Sequence, residues 1–170
     1  MKEVLIVIDM QKDFLTGALA NANEKTVTKN VKKKIQSWRN AGKEILFTRD
    51  THGENYMQTQ EGKILPVPHC IKNTDGWQIV EGLNEPTDKV FDKPTFGSVE
   101  LATYVQAGGY DRVELVGVCT DICVVSNAIL IKAFCPETVV AVDGACCAGV
   151  TQESHDAALK TMAACQVELV

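Results

Sequence analysis

The stretch VELVGVCTDICVVSNAILI holds two cysteines four residues apart, Cys119 and Cys123. Cysteine attacks as a thiolate, so a nucleophilic cysteine needs a feature that lowers its pKa and a group that takes its proton. Thr120 is a suitable N-cap for the helix that the following residues predict. That helix would place Cys123 in its first turn, where the positive end of the helix favours a thiolate. We therefore expect Cys123, rather than the earlier Cys119, to be the nucleophile.

An acid and an amine that could serve such a thiol follow two predicted strands. Asp9 comes after the apolar run VLIVI, and Lys93 comes after the run DKVFD. Asp9 could accept the thiol proton and return it to a leaving amine, and the Lys93 cation would stabilise the thiolate. An aspartate or a lysine after a strand is, by itself, more often a cap or a solvent-facing residue. The combination of acid, amine and thiol at successive strand ends favours a catalytic group of Asp9, Lys93 and Cys123.

A further set of residues suits a metal ion. Asp50 and His52 are two residues apart, Glu61 follows, and His69 stands in the run LPVPHC. Two imidazoles together with carboxylates suit a borderline divalent ion such as zinc, iron or manganese. Two of the three histidines fall in this set, and the third, His155, is expected to be an isolated surface residue.

Short apolar runs rich in β-branched residues alternate with helical patterns. Strands are predicted at 3–8, 44–48, 88–92, 112–117, 138–142 and 166–170, and helices at about 26–40, 98–107, 121–134 and 151–164. Runs that are apolar on both faces are typical of a parallel sheet covered by helices on both sides. The sequence therefore predicts a single α/β domain over 1–170, with a doubly wound, mainly parallel six-stranded sheet.

Residues 49–87 interrupt this alternation with little sustained periodicity. So long a connection inside a compact domain is usually functional or disordered, and its scattered apolar residues favour an ordered loop. Because ligands of open α/β sheets gather beyond the carboxyl ends of the strands, we expect this loop to bring its metal site to the edge that carries the candidate triad.

Composition excludes several classes of function. The 170-residue chain has a net charge of −5 and no basic patch, which argues against a nucleic-acid partner. No apolar run reaches membrane-spanning length, and Met1 leads into the first strand without a signal-peptide pattern, so no membrane partner is expected. Seven cysteines in such a chain indicate a reducing, cytoplasmic compartment.

The runs VLIVIDMQKDFLTGALA, TRDTHGENY, PHCIKNTDGWQI, FDKPTFGS and ELVGVCTDICVVSNAI together resemble the isochorismatase-like cysteine hydrolases, and among them the nicotinamidases and pyrazinamidases. The resemblance extends over essentially the whole chain. It implies a triad of Asp9, Lys93 and Cys123 and a non-proline cis peptide bond between Val118 and Cys119. It also implies an oxyanion hole formed by the backbone N–H groups of Cys119 and Cys123.

The same resemblance implies a metal site that begins at D-x-H and ends at the histidine of P-H-C. Its third ligand is a histidine or a glutamate in the family. No histidine stands between His52 and His69, so Glu61 is the first candidate and Glu54 the alternative. The metal, zinc first and iron or manganese as alternatives, would hold the pyridine nitrogen of nicotinamide and so orient its carboxamide over Cys123.

The implied reaction is the hydrolysis of nicotinamide, and with it pyrazinamide, to the carboxylic acid and ammonia through a cysteine thioester. Phe14 and Phe96 are expected to form the apolar walls around the ring, although either also suits an ordinary core. Many nicotinamidases have a tryptophan shortly before P-H-C, whereas this chain reads ILPVPHC, with Trp77 as a candidate substitute. The family often forms dimers or tetramers, so a homo-oligomer is expected.

Two alternatives stay open. The first keeps the triad but acts on another small amide or ureido compound; such relatives generally lack the loop metal. The second is a non-catalytic module in which Cys119 and Cys123 form a redox switch, although their spacing matches neither the usual zinc nor the thioredoxin pattern.

Overall fold

The computed structural model describes all residues, 1–170, and contains one sheet of six parallel strands. The strands are β1 (Glu3–Ile8), β2 (Glu44–Asp50), β3 (Lys89–Lys93), β4 (Arg112–Val118), β5 (Val139–Ala148) and β6 (Glu168–Leu169). Their order across the sheet is β3-β2-β1-β4-β5-β6. The predicted doubly wound parallel sheet is thereby confirmed.

Helices cover both faces of this sheet. They are α1 (Lys12–Leu15), α2 (Glu24–Asn40), α3 (Gln60–Ile64), α4 (Val99–Gly108), α5 (Val125–Phe134) and α6 (Gln152–Ala164). No helix combines the length and the apolar composition needed to cross a bilayer.

Strand β1 shows why both faces are covered. Its alternate residues Val4 and Ile6 belong to the core under α4, α5 and α6. Leu5 and Val7 belong to the opposite core, which also contains the apolar face of α2. Side chains of a strand alternate between the two faces, so a strand that is apolar throughout must be buried on both.

The order of the strands changes direction between β1 and β4, which lie side by side at the centre. This is the position where open α/β sheets bind their ligands, beyond the carboxyl ends of the strands. The two strands approach closely near that end. A Cβ atom on Gly117, whose φ is 121°, would lie only 2.1 Å from the carbonyl oxygen of Ile8, so only glycine fits there.

Strand β5 is longer than predicted because it contains an irregularity. Leu115 pairs with Val142, whereas Gly117, two residues on, pairs with Cys147, so the residues after Val142 leave the regular ladder. An ion-pair cluster lies at this point: the ammonium of Lys34, on α2, is 2.7 Å from carboxylate oxygens of both Glu114 and Asp143. The cluster connects α2, β4 and the irregular part of β5.

The helix after β4 begins differently from the prediction. Residues Thr120–Val124 form a wider π-helical turn, and the regular helix α5 starts at Val125. Thr120 does not cap it: the residue before the turn is Cys119, and no side chain caps the N-terminus. The Thr120 hydroxyl instead bonds Nδ1 of His155 at 2.7 Å, so the expectation that His155 is an isolated surface residue is also wrong.

Residues between β2 and β3 form an ordered loop that contains a short 3-10 turn (Tyr56–Gln58) and α3. Isolated backbone pairings connect His52 with Ile71 and Gln11 with Ile79. The loop therefore folds back over the end of β1 and β2, next to the strand-order reversal.

Candidate active site

Asp9 lies directly after β1 and is fully buried. Its backbone has φ of 47°, a left-handed conformation that aspartate tolerates better than most residues. The Thr48 hydroxyl accepts a hydrogen bond from the Asp9 backbone N–H at 3.2 Å and donates one to its carboxylate at 2.6 Å. Burial raises the pKa of Asp9 above its ordinary value, despite the opposing charge of Lys93. A carboxyl group of this kind binds a proton more readily than one at the surface.

Lys93 closes β3 and is buried, with its ammonium at the centre of the candidate triad. Nζ lies 2.7 Å from Oδ2 of Asp9, 3.4 Å from Sγ of Cys123 and 3.3 Å from Oδ1 of Asp50. It also donates to the carbonyl oxygen of Thr95 at 3.1 Å. Burial by itself would lower the pKa of Lys93, but the negative charges around it, that of Asp9 foremost, hold the pKa above its ordinary value. The residue is therefore a fixed cation.

Cys123 lies in the π-helical turn, with its side chain buried against Lys93. The sequence predicted a lowered pKa for this thiol, whereas its pKa is raised well above the ordinary value. Burial is the largest cause and the charge of Asp9 adds to it, and both outweigh the attraction of Lys93. Both causes favour the protonated form of the Cys123 thiol.

The peptide bond between Val118 and Cys119 is cis. The Cys119 carbonyl accepts from the N–H groups of Ile122 and Val124, at 3.1 and 3.0 Å, which fixes the turn that follows. The Cys119 side chain is half-buried, and burial raises the pKa of its thiol to about 12. The backbone N–H of Cys119 donates to no acceptor of the protein. It is therefore available to a bound molecule.

The four predicted metal ligands converge. One donor atom from each of Asp50, His52, Glu61 and His69 can be chosen so that all lie within 4.8 Å of one another. Nε2 of His52 is 2.9 Å from Oδ2 of Asp50, and Nε2 of His52 and of His69 are each 3.7 Å from Oε1 of Glu61. The alternative ligand, Glu54, lies exposed outside this group.

The donor set fits a divalent ion. His69 is oriented by a bond between its Nδ1 and the carbonyl oxygen of Val67 at 2.8 Å, which leaves Nε2 facing the carboxylates. Burial alone would raise the pKa of Asp50, but hydrogen bonds from the two histidines hold it below its ordinary value. Ionised carboxylates beside oriented imidazoles are the ligands that zinc and related ions take.

A cavity of about 60 Å³ adjoins both groups. Its lining includes metal-site and triad residues together with apolar side chains: Phe14, Leu19, Asp50, Glu61, Leu65, His69, Phe96, Cys119, Ile122 and Cys123. Both aromatic residues predicted as pocket walls therefore line it, Phe14 buried and Phe96 43% exposed. Two larger surface depressions, of about 290 and 370 Å³, contain none of the candidate triad.

Trp77 is not a wall of this cavity. Its side chain is buried in the core on the α2 side, and its indole N–H donates to the Thr51 hydroxyl at 2.8 Å. The guanidinium of Arg49 lies 3.6 Å from the ring centroid. The aliphatic Leu65 lies instead beside the cavity, in the run that precedes P-H-C.

Two residues that shape the site were not singled out from the sequence. The fully buried side chain of Gln11 accepts from the Asp50 N–H at 2.7 Å and donates to the Asp50 carbonyl at 2.9 Å. The Asp13 carboxylate accepts from the N–H of Cys70, next to His69, at 2.8 Å. Both belong to the run DMQKDF directly after β1, where buried polar residues are uncommon without a partner.

Comparison with known proteins places the chain in a family. The model of the isochorismatase domain matches residues 3–170, so the chain belongs to the isochorismatase family.

Its relatives include proteins of known activity. The nicotinamidase/pyrazinamidase of Mycobacterium tuberculosis is 27% identical over 183 residues, which cover 98% of this chain and 97% of that protein. The nicotinamidase of Saccharomyces cerevisiae is 25% identical over 187 residues, which cover 83% and 86%. The pyrazinamidase of Pyrococcus horikoshii, solved in complex with zinc, is similar with a TM-score of 0.85 and 29% identity, covering 100% of this chain and 99% of that one.

Proposed function

We propose that this protein is a cysteine amidohydrolase that converts nicotinamide, and pyrazinamide, to the carboxylic acid and ammonia. The observation that carries the proposal is the position of the buried Lys93 ammonium, 2.7 Å from the Asp9 carboxylate and 3.4 Å from the Cys123 sulfur. A base and a fixed cation beside a buried thiol are what a thiol nucleophile requires. The similarity to nicotinamidases supports the choice of substrate.

In the first half of the reaction, the Asp9 carboxylate takes the proton of Cys123, and the thiolate attacks the carbonyl carbon of the amide. Lys93 stays protonated and stabilises first the carboxylate and then the thiolate. The carbon–nitrogen bond then breaks, and ammonia leaves with the proton that Asp9 returns. The product of this half is a thioester on Cys123.

In the second half, Asp9 removes a proton from a water molecule, which attacks the thioester carbonyl. The carbon–sulfur bond breaks, the carboxylic acid is released, and the thiol regains its proton. In both halves the carbonyl oxygen becomes negatively charged, and the backbone N–H groups of Cys119 and Cys123 are the proposed donors to it. One such donor contributes roughly 3–4 kcal/mol to the transition state in other acyl-transfer enzymes.

Asp50, His52, Glu61 and His69 are the proposed ligands of a divalent ion, zinc first. When bound, the ion would coordinate the ring nitrogen of the substrate and so orient the carboxamide toward Cys123. Phe14 and Phe96 would enclose the ring from positions on the cavity wall. We further propose that the chain works as one domain over residues 1–170, with the ligands in loop 49–87, as a cytoplasmic homo-oligomer.

A second candidate keeps the triad and hydrolyses another small amide or a ureido compound. Leu65 favours it, because this aliphatic residue lines the cavity where an aromatic side chain would stack on a pyridine ring.

Ammonia release decides between them. The protein, loaded with zinc, should release ammonia from nicotinamide and from pyrazinamide, and a chelator should suppress the release until zinc is restored. Asp9→Asn, treated in the same way, should release none. The absence of release from both amides by the metal-loaded protein, with activity on a ureido compound that withstands the chelator, would establish the second candidate instead.

A further inference from the structure

Asn127, in the first turn of α5, is fully buried and takes no part in the chemistry described above. Its side-chain oxygen accepts a hydrogen bond from the backbone N–H of Ser98 at 2.9 Å. Its amide nitrogen donates to two carbonyl oxygens, that of Cys123 at 2.8 Å and that of Phe96 at 3.0 Å. Both donor hydrogens of the amide are therefore used, and its oxygen is bonded as well.

These bonds join two separate segments of the candidate active site. Cys123 belongs to the π-helical turn, whereas Phe96 and Ser98 belong to the connection between β3 and α4. The same connection contains Thr95, whose carbonyl accepts from the Lys93 ammonium at 3.1 Å, and the Phe96 side chain lines the cavity. One amide thus connects the main chain of the thiol residue with the segment that contacts the cation and forms a cavity wall.

The packing of α5 does not by itself require a polar side chain at position 127. The buried neighbours on this face of α5, Ala128 and Ile131, are apolar. An amide in such surroundings is costly unless its polar groups are bonded, and a bonded buried network specifies one arrangement of the segments that it joins. Ser98, whose N–H donates to Asn127, is also the N-cap residue of α4, and its hydroxyl caps that helix. The amide therefore fixes the start of a second helix relative to the turn.

We propose that Asn127 is a positioning residue. It holds the nucleophile turn, which is the π-helical turn Thr120–Val124 that carries Cys123, at a set distance from the Phe96 wall and from Lys93. This inference rests on the proposed function, in which Cys123 is the nucleophile. A shift of about 1 Å in a reacting group can lower a rate by about 100-fold.

The test is Asn127→Asp, which is nearly identical in shape. It keeps the acceptor for Ser98 but places a second oxygen against the carbonyls of Cys123 and Phe96. We expect kcat/KM for nicotinamide to fall by about 10- to 100-fold, with kcat lowered by misalignment of Cys123 and KM raised by displacement of Phe96. We also expect the rate of Cys123 alkylation by iodoacetamide, followed by peptide mass spectrometry, to change several-fold.

Tyr110→Phe is the matched control. It removes a partly buried hydrogen bond of 2.7 Å, to Glu44, at the amino-terminal end of the strands, far from the triad. It should lower the Tm and leave kcat, KM and the labelling rate unchanged. Should Asn127→Asp not purify as a folded protein, Asn127→Ser, which removes the amide without adding charge, is measured in its place.

If a variant at Asn127 has a lower Tm but the same kinetics and labelling rate as the unaltered protein, the role of Asn127 is purely structural and the inference is wrong. The labelling rate is independent of the substrate. If the unaltered protein releases no ammonia from either amide, the proposed function fails, while the labelling comparison still decides the role of Asn127.

Discussion

Gln11 binds the main chain of Asp50 on both sides, accepting from its N–H and donating to its carbonyl oxygen. The Gln11 amide nitrogen also donates to the carbonyl of Trp77 at 2.9 Å. The Gln11 side chain thereby forms the backbone hydrogen bonds that a neighbouring strand would form at the end of β2. There, one carboxylate oxygen of Asp50 faces Lys93 and the other faces His52 and His69.

Gln11→Glu should therefore weaken metal binding. The substituted carboxylate loses the donors to Asp50 and Trp77, so the Asp50 carboxylate is no longer held toward His52 and His69. Loss of such supporting contacts typically costs about 10- to 100-fold in metal affinity. Competition for zinc with a coloured chelator measures this. Gln36→Glu, at an exposed position where the glutamine bonds only Asn40 on the surface of α2, is the control and should bind zinc normally. Equal affinities for the two variants would contradict the role given to Gln11.

The two cysteines of the nucleophile turn should respond differently to alanine. Cys123→Ala removes the proposed nucleophile, and amidase activity should fall by at least about 1000-fold. Cys119→Ala keeps the backbone N–H and should retain most activity. Steady-state ammonia release measures both variants, and mass spectrometry of protein quenched during turnover should detect the acyl adduct on Cys123 alone. Equal loss in the two variants would contradict the separate roles given to the two cysteines. A protein without amidase activity that forms a Cys119–Cys123 disulfide on oxidation would favour the redox-switch alternative.

Lys93→Met should lower both stability and activity. The substitution leaves the carboxylates of Asp9 and Asp50 buried without their cation, and breaking a buried ion pair on one side costs about 3–5 kcal/mol. Urea unfolding measures the loss. Arg112→Met breaks the ion pair with Glu168, which lies on the edge strand β6 and has a side chain that is 53% exposed, and should cost less than about 1 kcal/mol. Similar losses in the two variants would mean that Lys93 is not held as the structure describes.

The Lys34 cluster should make stability depend on pH in the acid range. Burial alone would raise the pKa of Asp143, but the hydrogen bond with Lys34 outweighs it and holds the pKa below its ordinary value of 3.8. A group whose pKa is lower in the folded state contributes stability above its unfolded pKa. This contribution is lost as the pH falls through the folded value. The free energy of unfolding should therefore be larger for the unaltered protein than for Asp143→Asn at about pH 6. This difference between the two proteins should shrink below about pH 4.

Asp75 offers the comparison for this titration. It is paired with Lys12 but its side chain is 83% exposed, so Asp75→Asn should change the free energy of unfolding by less than about 1 kcal/mol. A difference at Asp143 that stays constant from pH 6 to pH 3 would show that the ion pair with Lys34 does not stabilise the fold.

The features that could be predicted from the sequence depend on the local pattern of apolar residues and on the edge of the sheet at which the strands end. Continuous apolar strands such as β1 required a covered parallel sheet, and a parallel sheet brings Asp9 and Lys93 to one edge. The candidate metal ligands could be predicted because two of the three histidines, His52 and His69, fall in one pattern with carboxylates, and the structure brings these donor atoms together.

Features that depend on tertiary packing could not be predicted in this way. Thr120 has the residue type of a helix cap, but His155, distant in sequence, binds its hydroxyl instead. The direction of the Cys123 pKa depends on complete burial and on the charge of Asp9, which a helix-terminus argument does not include. Strand β5 continues past its predicted end because Lys34 and Glu114, from other elements, stabilise its irregular part.

The placement of β1 between β2 and β4 also sets the order in which the protein can assemble during synthesis. β1 precedes β2 in the chain and can pair with it early, and β3 can extend that edge. The other side of β1 stays open until β4 has been made. Since β4 leads directly into the π-helical turn Thr120–Val124, the Cys123 thiol meets Asp9 and Lys93 only when the centre of the sheet closes. A nascent chain that ends before β4 contains Asp9 and Lys93 but not Cys123.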